Sequence, residues 1–217
     1  IIAALANLSI LWCSNDHFVL LILRFITGFF LAGIYPVGMK IAADWYEKGL
    51  GKALGWLVGS LVFGTAFPYL LKAGTLHLDW KWVIIFTTSI AAFGGFLIYF
   101  FIGEGPYRKQ GSSFHPKAII HVFKSKDFKA AAFGYFGHMW ELYAFWAFVP
   151  IIIEIYSNNT GMPINKLIWS FIVIGTGGLS CILGGYLSMK IGSARVAFYA
   201  LLVSGLCCSL SFIAFVF

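Results

Sequence analysis

The sequence predicts an all-α fold, a polytopic membrane helix bundle of about seven transmembrane helices. Of the 217 residues 60% are hydrophobic and only 11% are charged, which leaves too little polar material to cover a soluble globule of this size. The apolar residues form continuous runs of roughly 20, the length that crosses a bilayer core. Because these runs lack the period-two alternation of barrel strands, we expect helices.

Seven apolar runs supply the predicted helices, and the first of them is shorter than a full span: 1–13, 18–43, 50–71, 82–102, 130–156, 167–189 and 196–217. Several contain proline, at Pro36, Pro68 and Pro150, which helices embedded in lipid tolerate better than soluble helices do. Both termini lie inside apolar runs, so we expect the sequence to be a piece of a longer chain.

A polar, basic island at residues 105–129 orients these helices. It carries six of the 15 Lys and Arg residues and a single acid, Asp127. Basic residues concentrate in cytoplasmic loops, so we expect the island to be cytoplasmic. In that orientation 11 of the 15 are cytoplasmic, three are outside, and one, Arg24, lies inside a span. The net charge of +7 therefore indicates membrane topology rather than nucleic-acid binding.

The island also divides the chain into three predicted parts. We expect an N-terminal part at 1–104 with four helices, a cytoplasmic linker at 105–129, and a C-terminal part at 130–217 with three helices. Within the linker we expect a short helix in the membrane plane that begins near Pro116, with a flexible linker as the alternative; its apolar side would carry Ile119, Ile120 and Phe123. On the opposite side of the membrane, residues 158–160 form an N-glycosylation sequon on a predicted outside loop.

Two ionisable residues lie close together in the fifth run. His138 and Glu141 are three residues apart, so both project from one helix face. Glu141 is about 16 Å along the axis from residue 130, near the middle of a core about 30 Å thick. Ionisable groups at such depth usually face the bundle interior or a wet cavity. The pair can bind and release a proton, or it can form an interhelical hydrogen bond that only fixes packing.

Arg24 is the ionisable residue of the second run. Because its guanidinium cannot lose its proton, we expect an anionic partner, either a carboxylate or a substrate, or else backbone carbonyls. Snorkelling to the membrane interface is the alternative. In the third run Gly51, Gly55 and Gly59 recur every four residues, a spacing that predicts close helix packing.

Two stretches resemble motifs of the major facilitator superfamily of secondary transporters. The stretch from Arg24 to Gly28 is similar to R-x-x-x-G in the fourth helix of that family. Residues 185–195 resemble its loop motif, G-x-x-x-D-R/K-x-G-R/K-R/K, with Met189 in place of the Asp and Ser193 in place of a basic residue. We assign Gly185, Lys190, Gly192 and Arg195 to this motif, with Arg195 one position after its last basic residue.

This resemblance implies that the seven runs correspond to helices 3 to 9 of twelve and the island to the link between two six-helix halves. It places four residues on or near a pathway for substrate and protons: Arg24, Tyr35, His138 and Glu141. The implied function is secondary active transport of a small solute, with organic anions among the candidates, by a multi-pass protein of the plasma (inner) membrane. The resemblance implies no cofactor and no enzymatic activity. The implied mechanism is proton-linked alternating access.

Other classes fit the sequence less well. A seven-helix receptor or retinal-type protein predicts a Lys within the last run, and 196–217 contains none. No Ser/His/Asp, metal-ligand or phosphate-loop arrangement indicates an enzyme. We expect the four cysteines to be small residues buried in the membrane. An inactive transporter fragment is a further alternative, since a piece without helices 1 and 10 could not close a cavity. The antiporter pattern of helix 5 is only partly met, because Pro68 replaces its third Gly.

Overall fold

Helices make up nearly all of the structure, a computed structural model that describes residues 1–13, 16–74, 79–108 and 121–216. They are α1 (Ile2–Cys13), α2 (His17–Ala32), α3 (Ile34–Trp45), α4 (Leu50–Gly74), α5 (Trp80–Phe101), α6 (Lys126–Thr160), α7 (Lys166–Ile191) and α8 (Ser193–Val216). The all-α prediction is confirmed. Within the described ranges, six helical stretches are long and apolar enough to cross a membrane, and α1, with 12 residues, is shorter than a span.

The second predicted span is divided at Gly33 into α2 and α3, which together form one 29-residue candidate span. Pro36 explains the break, because its ring has no N–H to donate and crowds the carbonyl of Ala32, four residues earlier. Pro68 and Pro150, by contrast, lie inside uninterrupted helices. At its other end α2 is capped by Asp16, whose carboxylate accepts hydrogen bonds from the amides of the helix's first turn.

The antiparallel pair of α4 and α7 joins the N-terminal part to the C-terminal part. A Cβ atom built on Gly55 would lie 3.0 Å from the carbonyl oxygen of Cys181 and 3.0 Å from the Cα of Gly185. On Gly59 it would lie 2.7 Å from the carbonyl oxygen of Gly178. Only glycine leaves room for this approach, so the predicted close packing along α4 is confirmed, and its partner is α7.

A small apolar core extends this helix pair. Val62 and Ala66 of α4 pack with Ile174 of α7, which is 1% exposed, and with Val149 of α6. The neighbouring Ser170 is fully buried, and its hydroxyl donates to the Lys166 carbonyl at 2.6 Å. The core therefore includes helices from both sides of the island.

The contacts define two ends of the bundle. The first end, called the island end, carries the C-termini of α3, α5 and α7 and the N-termini of α4, α6 and α8. Here the residues after α5 fold back onto α3: the Tyr107 amide donates to the Asp44 carbonyl at 3.0 Å, and the Trp45 indole donates to the Gly103 carbonyl at 3.3 Å. Gly105 is buried in this contact. The opposite end is called the far end.

Most of the predicted linker lies outside the described residues, including Pro116, Ile119 and Ile120 and the expected in-plane helix. The last residues of the island form the first turn of α6, which begins at Lys126 after the N-cap Ser125. The sequon at 158–160 lies in the last turn of α6 rather than on a loop. Thr160 there donates its hydroxyl to the Tyr156 carbonyl at 2.8 Å, an interaction within the helix.

The four cysteines differ in how far the helix bundle covers them. Cys13 and Cys181 are half-buried, whereas Cys207 and Cys208 are exposed on the surface of α8. All four are free thiols. Since α8 is a candidate membrane span, exposure to the exterior of the bundle can coincide with a position inside the bilayer.

Candidate functional site

Glu141 lies near the middle of the 35-residue helix α6 and is bound by α8. The hydroxyl of Ser204 donates a hydrogen bond to the Oε1 atom of Glu141, and the Cys208 sulfur lies 3.9 Å from the same oxygen. The Glu141 side chain is 33% exposed. No Lys or Arg among the described residues lies within ion-pair distance of this carboxylate.

His138 lies beside Glu141, as the spacing predicts. Its Nδ1 atom is 3.9 Å from the Oε2 atom of Glu141, beyond hydrogen-bond distance but within the range of an ion pair. The interaction becomes a true ion pair only when the imidazole is protonated. The two oxygens of Glu141 thus face different partners, Oε1 the hydroxyl of Ser204 and Oε2 the imidazole of His138.

Arg24 belongs to a second polar cluster, built by α1, α2 and α5. Its Nη1 atom donates to the Oδ1 atom of Asn7 at 2.9 Å, and the Nδ2 atom of Asn7 donates to the hydroxyl of Thr88 at 2.9 Å. The partner of Arg24 is therefore a neutral amide, which was not among the partners expected from the sequence. Arg24 itself is exposed, whereas Thr88 is 7% exposed.

Tyr35 lies in the first turn of α3 and is half-buried. Among the described residues it makes no hydrogen bond to Arg24, His138 or Glu141. The structure thus brings His138 and Glu141 together and places Arg24 in a separate cluster.

With this geometry established, comparison with known proteins identifies the family. The model of the Major Facilitator Superfamily matches residues 1–217. The chain belongs to the major facilitator superfamily. Comparisons with curated proteins and with solved structures found no match. Superfamily membership confirms a multi-pass membrane protein of a transporter family, whose members are not enzymes.

The residues of the superfamily's loop motif lie at the island end of α7. Gly185 packs against the backbone of Gly51 and Gly55 in α4. Gly192 ends α7 with φ +90°, a left-handed conformation that favours glycine. Lys190 and Arg195 pair with no carboxylate in the described part of the chain. The motif here therefore contributes helix packing and a helix end, without an ion pair.

Two other positions of the superfamily motifs differ in their surroundings. Met189, which replaces the motif's Asp, packs near the N-terminus of α4, where a Cβ atom on Gly51 would lie 3.5 Å from its Cγ. Gly28 in α2 has open space where a Cβ would be, so nothing in the structure requires glycine there.

Three site residues were missed in the sequence because each is a small polar residue within an apolar run: Asn7, Thr88 and Ser204. Asn7 carried a usable signal, since it is the only Asn or Gln inside the seven predicted runs and a side-chain amide there needs partners. Thr88 and Ser204 carried none, because Ser and Thr hydroxyls commonly bond to their own helix backbone. No group of three or more metal-ligating side chains occurs among the residues that the structure describes.

Proposed function

We propose that this protein is a proton-linked secondary transporter of a small solute, working by alternating access in the plasma (inner) membrane with the island at 105–129 on the cytoplasmic side. The observation that carries this proposal is the environment of Glu141. An ionisable side chain lies in the middle of a candidate membrane span, bound by one hydroxyl and adjacent to an imidazole. Groups of this kind within spans mark proton and substrate pathways.

The partners of Glu141 suit a group that changes protonation. A hydroxyl can donate to a carboxylate and can accept from a carboxylic acid. Ser204 can therefore keep a hydrogen bond to Glu141 in both states of the carboxyl group. His138, at 3.9 Å, is a second group that can bind a proton and exchange it with Glu141 after a small movement.

Arg24 supplies the second role, binding an anionic group of the substrate. Its guanidinium keeps its proton, and its protein partner is neutral, so its charge is not cancelled by a carboxylate among the described residues. The two clusters therefore have different charge character, a permanent cation at Arg24 and a titratable acid at Glu141. Tyr35, half-buried in the first turn of α3, is the fourth residue that we place on the proposed pathway.

The test measures proton movement into or out of proteoliposomes that contain the full-length protein and a pH-sensitive dye. Small carboxylates, amino acids and sugars are added outside, and the lumenal pH is followed. We expect at least one solute to change the lumenal pH with wild-type protein. Glu141→Gln should abolish this proton movement, since an amide cannot bind and release a proton.

A matched control is Glu154→Gln, which changes the other glutamate of α6. Glu154 pairs with Lys166 at 3.0 Å near the far end and takes no part in the proposed pathway. We expect it to leave proton movement intact. Unchanged uptake and unchanged pH dependence in both Glu141→Gln and Arg24→Ala would remove these two residues from the mechanism.

A further inference from the structure

We infer that Asn7 and Thr88 are positioning residues, which hold the Arg24 guanidinium so that it binds a carboxylate group of the substrate. The inference rests on the proposed function, because it gives the anion-binding role of Arg24 a structural cause and a ligand chemistry. It assigns a role to two residues that belong to neither superfamily motif of the sequence.

The hydrogen bonds fix the direction of the amide. Asn7 presents Oδ1 to the Nη1 atom of Arg24 at 2.9 Å and Nδ2 to the Thr88 hydroxyl at 2.9 Å. The reverse orientation would turn the amide NH₂ toward the guanidinium, donor against donor. The donor-only guanidinium therefore selects this orientation, and the Thr88 hydroxyl accepts from the amide NH₂ and so holds Asn7 in place. Because Thr88 is buried and Asn7 is half-buried, this chain of hydrogen bonds starts from a rigid part of the bundle.

The three residues lie at one depth although they come from three helices. Arg24 is about 10 Å from the start of α2, Thr88 about 12 Å from the start of α5, and Asn7 about 9 Å from the end of α1, at 1.5 Å per residue. These three helix termini belong to the far end of the bundle. The cluster therefore forms a layer across α1, α2 and α5 rather than a contact at the helix ends.

The guanidinium has unused binding capacity. It carries five N–H groups in a planar fork, and only one of them has a partner among the described residues. The edge formed by Nε and Nη2 has no partner there. Two parallel N–H groups on one edge match the two oxygens of a carboxylate. Among the described residues this positive charge in a membrane span has only a neutral partner, so its free edge is available to an anion.

The test uses the purified full-length protein and thermal unfolding as the binding readout. The probes are acetate, lactate, succinate, benzoate and glucuronate, with lactamide and benzamide as neutral counterparts. We expect at least one carboxylate to raise the unfolding temperature of the wild-type protein and its neutral counterpart to have no effect. Arg24→Ala should abolish this response. A wild-type protein that responds to none of the carboxylates would overturn the inference.

Two substitutions at Thr88 test its positioning role. Thr88→Val has nearly the same shape without the hydroxyl, and we expect it to weaken carboxylate binding about tenfold, the effect of one lost hydrogen bond. Thr88→Ser retains the hydroxyl and should bind within about twofold of wild type. Equal binding by the Val and Ser variants would show that the hydroxyl does not orient Asn7.

Asn7→Asp separates positioning from a purely structural role. The new carboxylate would pair with Arg24 and neutralise the positive charge that binds the substrate carboxylate. We therefore expect the probes no longer to raise the unfolding temperature, while the protein stays folded. If the cluster only fixes helix packing, Asn7→Asp keeps the contact and leaves the probe response unchanged, which would overturn the inference. Failure of the proposed function is recognised separately, since it requires Glu141→Gln to retain proton movement.

Discussion

The hydroxyl of Ser204 donates a hydrogen bond to the carboxylate of Glu141, joining α8 to α6 across 63 positions of the sequence. Both residues lie far from the ends of their helices, so the bond ties the middle of the C-terminal part together. Ser204→Ala should therefore lower the free energy of unfolding by about 1–2 kcal/mol and reduce proton movement about tenfold. Thermal unfolding and the proteoliposome assay measure the two effects.

Ser209→Ala is the matched control on the same helix. The Ser209 hydroxyl donates to the Gly205 carbonyl at 2.9 Å, a bond within α8 that reaches no other helix. We expect little change in stability and none in proton movement. Ser204→Thr should behave like wild type because it keeps the hydroxyl. Equal losses in Ser204→Ala and Ser209→Ala would show that the bond to Glu141 has no special role.

The glycines of α4 give a second prediction, about packing. A methyl group on Gly59 would lie 2.7 Å from the Gly178 carbonyl oxygen, so Gly59→Ala must push α4 and α7 apart. We expect a loss of about 1–3 kcal/mol, as for other overpacked sites. On the same helix Gly64 has open space in place of a Cβ, so Gly64→Ala should be neutral or stabilising by up to about 1 kcal/mol. Thermal unfolding in detergent distinguishes the two, and equal effects would contradict the close packing.

The positions of the helices could be predicted from the sequence because one strong signal, continuous hydrophobicity, determines them. The spacing of Gly51, Gly55 and Gly59 likewise predicted a packing face. The glycine spacing could not identify α7 as the partner, since small residues occur in several runs. The break at Gly33 could not be predicted from the sequence either. Pro36, Pro68 and Pro150 look alike in sequence, and only Pro36 interrupts its helix.

The candidate site could be predicted from the sequence only where its residues lie on the same helix. His138 and Glu141 are on one helix, so the 3.6-residue period places them on one face. The partners Asn7 and Ser204 come from other helices, and their contacts depend on how those helices pack. Helix periodicity contains no information about that packing, which explains why Arg24 was expected to meet an anion and instead contacts an amide.

Gly105 gives a third prediction, at the island end. A Cβ atom there would overlap the Asp44 carbonyl and lie 2.8 Å from the Trp45 nitrogen. Gly105→Ala should therefore displace the segment after α5 from the end of α3 and break the 3.0 Å bond from the Tyr107 amide to Asp44. Hydrogen exchange at the Tyr107 amide should accelerate about tenfold or more. Gly103→Ala, which has open space, should leave this exchange unchanged; acceleration in both variants would contradict the role of close approach.

Met189 gives a fourth prediction, about the missing acid of the superfamily's loop motif. Its side chain lies near Gly49 and Gly51, where α4 begins. The first N–H groups of a helix have no intrahelical acceptor and carry partial positive charge. Methionine offers them no strong acceptor, whereas an aspartate at this position would provide one.

We therefore expect Met189→Asp to stabilise the contact between α4 and α7 by about 0.3–1 kcal/mol at low ionic strength. Lys52, in the first turn of α4, adds to the attraction. High salt should reduce the gain, because screening weakens interactions between exposed charges. Met189→Asn, similar in shape but uncharged, should gain less and show no salt dependence. Identical unfolding curves for the Asp and Asn variants at low and high salt would mean that the N-terminus of α4 does not attract a charge at position 189.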